Sequence, residues 1–380
     1  MNFEFTEEQL MIRQAARDFA QRDLITDVIE RDYKAEYPTK HVKTMSELGF
    51  MGMMMDPKYE GGGMDTVSYV LAMEEISKVD SSVSVIMSVN NSLVCYGINK
   101  YGTEEQKQKY LPDLATGRKI GAFLLSEPEA GSDATMQRTT AEDKGDYYLV
   151  NGTKNWITNA HSGSIYILIA QTHPEKKHHG INAFILEKDT PGISLGPHED
   201  KMGMRSSDTH SVMFTDVKVP RENRIGEDGF GFKFAMKTLE AGRIGIAAQA
   251  LGLASGALER SIQYAKERKA FGTEIANHQA IAFKIAEMAV KVENARNLCL
   301  KAAWLKDNKK PFAIASSMAK QYCADIAMEV TTEAVQIHGG YGYVKEYHVE
   351  RLMREAKLTQ IYEGTSEIQK IVISRTLLRD

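Results

Sequence analysis

Tyr147-Tyr148-Leu149-Val150-Asn151-Gly152-Thr153-Lys154-Asn155-Trp156-Ile157-Thr158 is rich in aromatic and β-branched residues, and it sits between two long stretches of helical texture. Such side chains fit the pleated surface of a sheet, and Asn-Gly supplies the two left-handed positions of a tight hairpin. The stretch therefore predicts strands meeting at Asn151-Gly152. Residues 119–125, 164–170, 181–186 and 212–219 extend the pattern, each short, apolar and bounded by turn residues. About six strands in succession predict a small all-β domain, a barrel or sandwich.

Outward from this centre the texture turns helical on both sides. Thr6-Glu7-Glu8-Gln9 and Thr103-Glu104-Glu105-Gln106 each place Gln three residues after Thr, the reciprocal cap of a helix start. Asp56-Pro57 and Gly61-Gly62-Gly63 mark a loop between them, and Met51, Met53, Met54 and Met55 read as core filler. After Pro220 the next proline is Pro311, and none follows it. Leu, Ile, Ala, Met, Lys and Glu recur there at helical spacing, which predicts a bundle of long helices. The result is an α+β chain with segregated domains, expected at residues 1–118 (helical), 119–225 (β) and 226–380 (helical).

Bulk properties exclude several function classes. A formal charge of −4 lacks the basic excess of a nucleic-acid binder. The ten histidines form no zinc-spaced cluster, so no metal is expected, and His178-His179 reads as a solvated pair. Cys95, Cys299 and Cys323 lie far apart in apolar surroundings, which predicts free thiols in a reducing compartment. The start, Met1-Asn2-Phe3-Glu4-Phe5, has no basic segment before an apolar one, so no signal peptide is expected. The longest uncharged run, residues 244–258, is too short and too rich in Gly, Ala, Gln and Ser to span a bilayer. The expected location is cytoplasmic.

Neither G-x-G-x-x-G, a Walker A loop nor G-x-S-x-G occurs, which removes the common dinucleotide, P-loop and serine-hydrolase readings. Two loops carry chemistry instead. Leu125-Ser126-Glu127-Pro128-Glu129-Ala130-Gly131-Ser132-Asp133 follows the first strand and offers hydroxyls and backbone amides to a flat polar heterocycle or a phosphate. Gln360-Ile361-Tyr362-Glu363-Gly364-Thr365-Ser366-Glu367-Ile368-Gln369 breaks two apolar-periodic segments, so Glu363 is expected in a loop between helices. Gly364 permits a tight turn, and Thr365 offers a cap to the next helix. A carboxylate beside such a turn is placed to act as a base on a bound molecule.

These two loops, with Asn151–Asn159, Glu267-Arg268-Lys269-Ala270-Phe271-Gly272, His278-Gln279 and Gln336-Ile337-His338-Gly339-Gly340, occur in an order that closely resembles the acyl-CoA dehydrogenase family. The resemblance covers essentially the whole chain. It implies a helical N-terminal domain, a central β domain, a C-terminal four-helix bundle, bound FAD and a homotetramer. It implies that Glu363 removes the proton α to a thioester carbonyl while the β-hydride passes to the flavin. It also implies that the flavin rests against Phe123, Leu125, Ser126, Trp156 and Thr158, with Ser132 near both FAD and the acyl-CoA arm. Arg268, Phe271 and Gln279 of a neighbouring subunit would meet the FAD pyrophosphate and adenosine, with Gln336 and Gly340 close by. Thr365 and Glu367 complete the implied FAD set, and Tyr362 and Gly364 flank the substrate.

Some members carry the base on a bundle helix just before an arginine; Gly242 precedes Arg243 here, so that position holds no carboxylate. Glu240, where short-chain members commonly have Asp, is expected to order the pantetheine region with Arg243. Residues 88–93 and 240–247 look most like the short-chain, butyryl-CoA branch. No Lys or Arg lies between Ser81 and Ile98, which disfavours a dicarboxyl substrate. The implied electron acceptor is electron-transfer flavoprotein. Branched- or medium-chain dehydrogenases, and a non-catalytic assembly protein of the same fold, are the alternatives; flavin content and acyl-chain profiling separate them.

Overall fold

Thr6 opens the first helix: its side chain accepts the Gln9 amide at 3.2 Å, and the Gln9 side chain accepts the Thr6 amide at 3.0 Å. This is the expected capping box in the computed structural model, which describes residues 4–378. The residues Met1, Asn2 and Phe3 of the amino-terminal stretch read above lie outside the described residues. The helix α1 (Glu7–Arg22) leads to α2 (Val28–Lys34), α3 (Thr39–Glu47), α4 (Thr66–Ser77), α5 (Ser81–Ser88), α6 (Tyr96–Tyr101) and α7 (Glu104–Ala115). Thr103 caps α7 in the same reciprocal way. Met51, Met53 and Met55 are buried, as core filler should be.

Between α5 and α6 the chain widens into a π-helical turn, Val89–Cys95. Such turns cost regular hydrogen bonding and recur at functional sites. Two buried asparagines brace this one. Asn90 donates to the Met51 and Leu114 carbonyls at 2.8 and 3.0 Å, and accepts the Gly121 amide at 2.8 Å. Asn91 donates to Phe50 and Met87 carbonyls and accepts the Met53 amide. The turn is thereby tied to the first strand of the next domain.

The central domain is one eight-stranded sheet of β1 (Gly121–Leu124), β2 (Thr140–Asp143), β3 (Tyr147–Thr158), β4 (Ile165–Gln171), β5 (Ile181–Glu187), β6 (Ile193–Leu195), β7 (Thr209–Pro220) and β8 (Arg224–Ile225). The order is β6-β7-β3-β2-β4-β5-β8, with β1 parallel to β4. Strand periodicity sorts the side chains of β4 between two cores. Ile165, Ile167 and Ile169 face the N-terminal helices and the first bundle helix, whereas Tyr166, Leu168 and Ala170 face the domain's own interior with Tyr148, Val150 and Phe184.

The hairpin expected at Asn151-Gly152 does not form: β3 runs unbroken from Tyr147 to Thr158. Its pairing with β7 slips twice, between Val150 and Gly152 and between Lys154 and Ile157. The reason lies across the ladder. Asn151 exchanges hydrogen bonds with Asp216, donating to its carboxylate at 3.1 Å and accepting its amide at 2.9 Å, so the side chain that favours a turn completes a bulge.

After the sheet come α8 (Gly231–Glu267), a small hairpin of β9 (Lys269–Ala270) and β10 (Thr273–Glu274), then α9 (Gln279–Asp307), α10 (Ala313–His338), α11 (Val349–Thr359) and α12 (Ser366–Leu377). The long α8, α9 and α10, with α11, make the expected bundle, and α4 packs on α8 within a shared apolar core. Cys95, Cys299 and Cys323 are free and buried, and His178 and His179 are exposed. Among the described residues no helix is long and apolar enough to cross a membrane.

Candidate active site

The loop between α11 and α12 is built on two successive left-handed residues, Glu363 at φ +51° and Gly364 at φ +89°. That conformation is strained for a non-glycine residue, and it persists only where the surroundings impose it. The surroundings are specific. Gln369 donates to the Gly364 carbonyl at 2.9 Å, and Thr365 caps α12 by accepting the Ile368 amide at 3.3 Å. A Cβ at position 364 would also lie 2.7 Å from Gln369 Nε2, so a larger residue would displace that side chain as well as strain the torsion. Asp325 of α10 ties the two sides of the loop together, accepting from Gln360 and Ser366 at 2.9 Å each.

This backbone turns the Glu363 carboxylate inward, onto α8 and the π turn. A Cβ on Gly242 would lie 2.2 Å from Glu363 Oε2 and 2.7 Å from Leu93 Cδ2. Oε2 is buried and has no hydrogen-bond partner. Burial pushes the Glu363 pKa up to about 7, against the opposing pull of the Lys320 and Arg243 charges. The neighbouring Tyr362 hydroxyl meets the side-chain oxygen of Gln249, which itself donates to Ser81 and Ser84 at 2.9 Å. A carboxylate that titrates near neutral pH, with one oxygen buried and unpartnered, has the properties of a general base.

Phe123, Leu125 and Tyr362 pack against one apolar cluster that contains Leu93, Leu239 and Phe234, so the wall formed by β1 and the base loop share a core. Phe123 stacks on Phe234 at 6.3 Å. The loop after β1 is held from beneath by Lys154, fully buried, which donates to the Leu125 carbonyl at 3.1 Å and to Glu127 at 2.7 Å. Glu127 accepts the Arg138 and Thr139 amides as well, and Asn155 donates to the Ser126 carbonyl at 2.8 Å. Ser132 is exposed on this loop and Thr158 is half-buried at the end of β3. Trp156, at the second bulge, has φ +60° and is 61% exposed.

The residues expected to serve a neighbouring subunit lie elsewhere on the surface. Phe271-Gly272 is the two-residue turn between β9 and β10, with both φ values positive (+53° and +84°), and the Phe271 ring is 97% exposed. Arg268 and Gly340 line one cleft of about 740 Å³ with Tyr264, His338 and Tyr341, and the Arg268 guanidinium lies 5.3 Å from the Tyr341 ring. Gln279 and Gln336 are exposed at helix ends. The exposed rings of Trp156 and Phe271 and, separately, the cleft with Arg268 and glycines facing open space have the chemistry to take the flat ring and the anionic centre of FAD.

Two expected residues have local partners. Glu240 pairs with Lys237 at 3.0 Å, one helical turn away, whereas Arg243 turns into the bundle and donates to Ser317 at 3.1 Å. Glu367 is exposed in the first turn of α12, where a backbone hydrogen bond and Thr365 hold its pKa below the ordinary value. Its charge therefore serves the helix N-terminus. Sequence reasoning missed Lys320, Gln249, Asp325 and the Lys154–Glu127 pair. For Lys320 there was a signal: a charge on the stripe Ser316, Ala319, Cys323 and Ala327 that α10 buries.

Family models for the N-terminal, middle and C-terminal domains of acyl-CoA dehydrogenase match residues 6–118, 122–217 and 229–378. The chain is 48% identical over 379 residues to a short-chain specific acyl-CoA dehydrogenase of Clostridium acetobutylicum, covering 100% of both. It superposes on butyryl-CoA dehydrogenase from Megasphaera elsdenii with a TM-score of 0.98 at 48% identity, each chain covered in full. A chain of a solved structure described as the electron transferring flavoprotein of Acidaminococcus fermentans, in work towards a mechanism of flavin-based electron bifurcation, gives a TM-score of 0.99 at 51% identity, again with both chains covered in full. With its helical, β and helical domains all matched, the chain belongs to the acyl-CoA dehydrogenase family.

Proposed function

We propose that this chain is an FAD-dependent dehydrogenase of short, straight acyl-CoA thioesters, butyryl-CoA to crotonyl-CoA in type, with Glu363 as the base. The observation that carries the reading is the buried, unpartnered Oε2 of Glu363. The Cα–H bond of a thioester is weakly acidic, so the proton acceptor must be ionised, dry and held at the reacting carbon. Glu363 meets these conditions: its pKa lies near 7, its rotamer is hemmed by Gly242 and Leu93, and its backbone is fixed by the Gln369 and Thr365 contacts. The Glu363 amide, on the same left-handed turn, would polarise the thioester carbonyl as enolate character develops.

FAD, when bound, supplies the acceptor for the β-hydride. Phe123, Leu125, Ser126, Trp156 and Thr158 would hold its ring, with Ser132 and Thr365 beside it. Arg268, Phe271, Gln279, Gln336 and Gly340 would serve the pyrophosphate and adenosine from a neighbouring copy, in a proposed homotetramer whose subunits have domains at 1–118, 119–225 and 226–380. Arg243, Tyr362 and Gly364 would flank the acyl-CoA. The short-chain reading is supported by the relatives. Electron-transfer flavoprotein is the proposed acceptor, supported by the Acidaminococcus match.

The test is the visible spectrum of the purified protein, recorded anaerobically while butyryl-CoA is added. Prompt bleaching of a flavin band is expected in the parent, and none in Glu363→Gln with its flavin retained. A flavin band unchanged by butyryl-CoA in the parent would move the substrate to longer or branched chains, and a protein that binds no flavin would overturn the reading.

A further inference from the structure

Lys320 of α10 is fully buried, and the hydrogen bond it makes is to the Gly364 carbonyl, at 2.7 Å. Taking an ammonium out of water is strongly unfavourable unless charge and hydrogen bonds compensate it, and a neutral carbonyl does only part of this. The charged groups that face Lys320 are Glu363 from the loop, Arg243 from α8, Asp325 from its own helix and Glu367 from α12. Asp325 is already engaged, accepting from Gln321, Gln360 and Ser366 at 2.6, 2.9 and 2.9 Å. Glu367 is exposed at the start of α12, and Arg243 is a second cation, bonded to Ser317. Glu363 remains, with Oε2 buried and unpartnered. An under-compensated cation and an unpaired carboxylate thus flank one residue pair, Glu363–Gly364, on a strained turn.

We propose that Lys320 is a positioning residue for Glu363: its ammonium fixes the Gly364 carbonyl, and with it the left-handed turn that aims the carboxylate, while its charge favours the ionised base. Because the hydrogen bond goes to the carbonyl and leaves the carboxylate free, Oε2 keeps a lone pair for the substrate proton. A direct ion pair would occupy that lone pair. Burial lowers the Lys320 pKa to about 8, so the group is still mainly charged at neutral pH. The proposal rests on the reading of Glu363 as base, and it adds a second residue on which that base depends.

Two variants of the flavin-loaded enzyme separate the two roles. Lys320→Gln keeps a polar donor at position 320 and removes the charge; Lys320→Met removes both and leaves the Gly364 carbonyl with Gln369 as its donor, at 2.9 Å. The first readout is an infrared titration of the Glu363 carboxyl band, assigned by its loss in Glu363→Gln, which needs no turnover. Its midpoint is expected to rise by about one pH unit or more in both variants. The second is the pH profile of anaerobic flavin bleaching by butyryl-CoA. At the alkaline plateau, Lys320→Gln should stay within about threefold of the parent, and Lys320→Met should fall about tenfold or more, with half-saturating butyryl-CoA within about twofold in both. An unchanged Glu363 midpoint, or equal plateau losses in the two variants, would overturn the proposal. If the parent fails to turn over butyryl-CoA while the infrared shift persists, the functional reading falls and the Lys320–Glu363 coupling stands. If Lys320→Met does not fold, the midpoint in Lys320→Gln decides.

Discussion

A Cβ added to Gly242 of α8 would lie 2.2 Å from Glu363 Oε2, so the helix backbone and the carboxylate meet across a gap that only a hydrogen atom fills. Two positions 121 residues apart in the chain (363 minus 242) converge on one point of the site. Position 242 is also where some family members place a base, immediately before an arginine. A carboxylate on α8 and one on the loop would therefore claim the same space. A residue without a side chain at 242 leaves room for the carboxylate at 363.

This contact makes Gly242→Ala a sharp probe. The added methyl group cannot fit beside the carboxylate as it stands, so Glu363 must rotate or its loop must shift. A displacement near 1 Å at a reacting group costs on the order of 10²-fold in rate. We expect the butyryl-CoA bleaching rate to fall by about that factor, with flavin content unchanged. A variant that bleaches at the parent rate would show that Glu363 works from some other conformation.

The raised pKa of Glu363 has a stability signature whose sign can be worked out. The unfolded carboxyl titrates near 4.3 and the folded one at about 7. Between these values the native state binds more protons than the unfolded state, so stability falls as pH rises through that window. Glu363→Gln mimics the protonated acid and removes this dependence. Relative to the parent, the variant should gain on the order of 2–3 kcal/mol of stability between pH 5 and pH 8. Calorimetry at the two pH values checks it; a constant difference between the proteins would contradict the buried, near-neutral carboxyl.

Periodicity and local chemistry made much of this architecture readable. Both Thr-x-x-Gln caps, the buried methionines, the β segments and the long bundle helices depend on side chains close in sequence, and they lie where the pattern places them. The Glu363 loop was visible because Gly364 and Thr365 carry their own conformational message. The failures share a cause. Asn151-Gly152 reads as a turn, but Asp216 on the opposite strand makes it a bulge. Lys320 reads as a helix charge, but its partner is a carbonyl 44 residues later. Glu240 and Arg243 are neighbours on one helix, yet they point to different partners. Asp216, the Gly364 carbonyl and Ser317 are all distant in sequence from the groups they engage.

The loop that follows β1 depends on a buried ion pair, which makes its integrity testable apart from catalysis. Lys154→Met would leave Glu127 buried with its amide donors, at 2.6 Å from Arg138 N and 3.0 Å from Thr139 N, and would leave the Leu125 carbonyl with only the longer Gln137 contact at 3.3 Å. Breaking one side of a buried pair costs about 3–5 kcal/mol. A lowered melting temperature and weakened flavin retention are expected together. Adding Glu127→Gln should restore part of the stability, since the uncompensated charge is then gone. If Lys154→Met melts like the parent, the pair does not support the loop.

Trp156 allows the cofactor reading to be tested with little risk to the fold. The ring is 61% exposed, so removing it sacrifices little buried apolar surface, and its φ of +60° is unfavourable for any residue but glycine. Nothing in the folding of a single chain explains why a large aromatic should occupy this bulge. A bound flat ring would. In Trp156→Gly the relief of backbone strain opposes the entropy of glycine, and the flavin-free protein should melt within about 1 kcal/mol of the flavin-free parent. Flavin retained after dialysis should nevertheless drop sharply, and added FAD should raise the melting temperature less than it does in the parent. Parent-like flavin retention would remove Trp156 from the cofactor wall, leaving Phe123, Leu125 and Thr158 to form it. A large loss of stability in the flavin-free state would mean instead that the ring has a structural partner in the assembled protein.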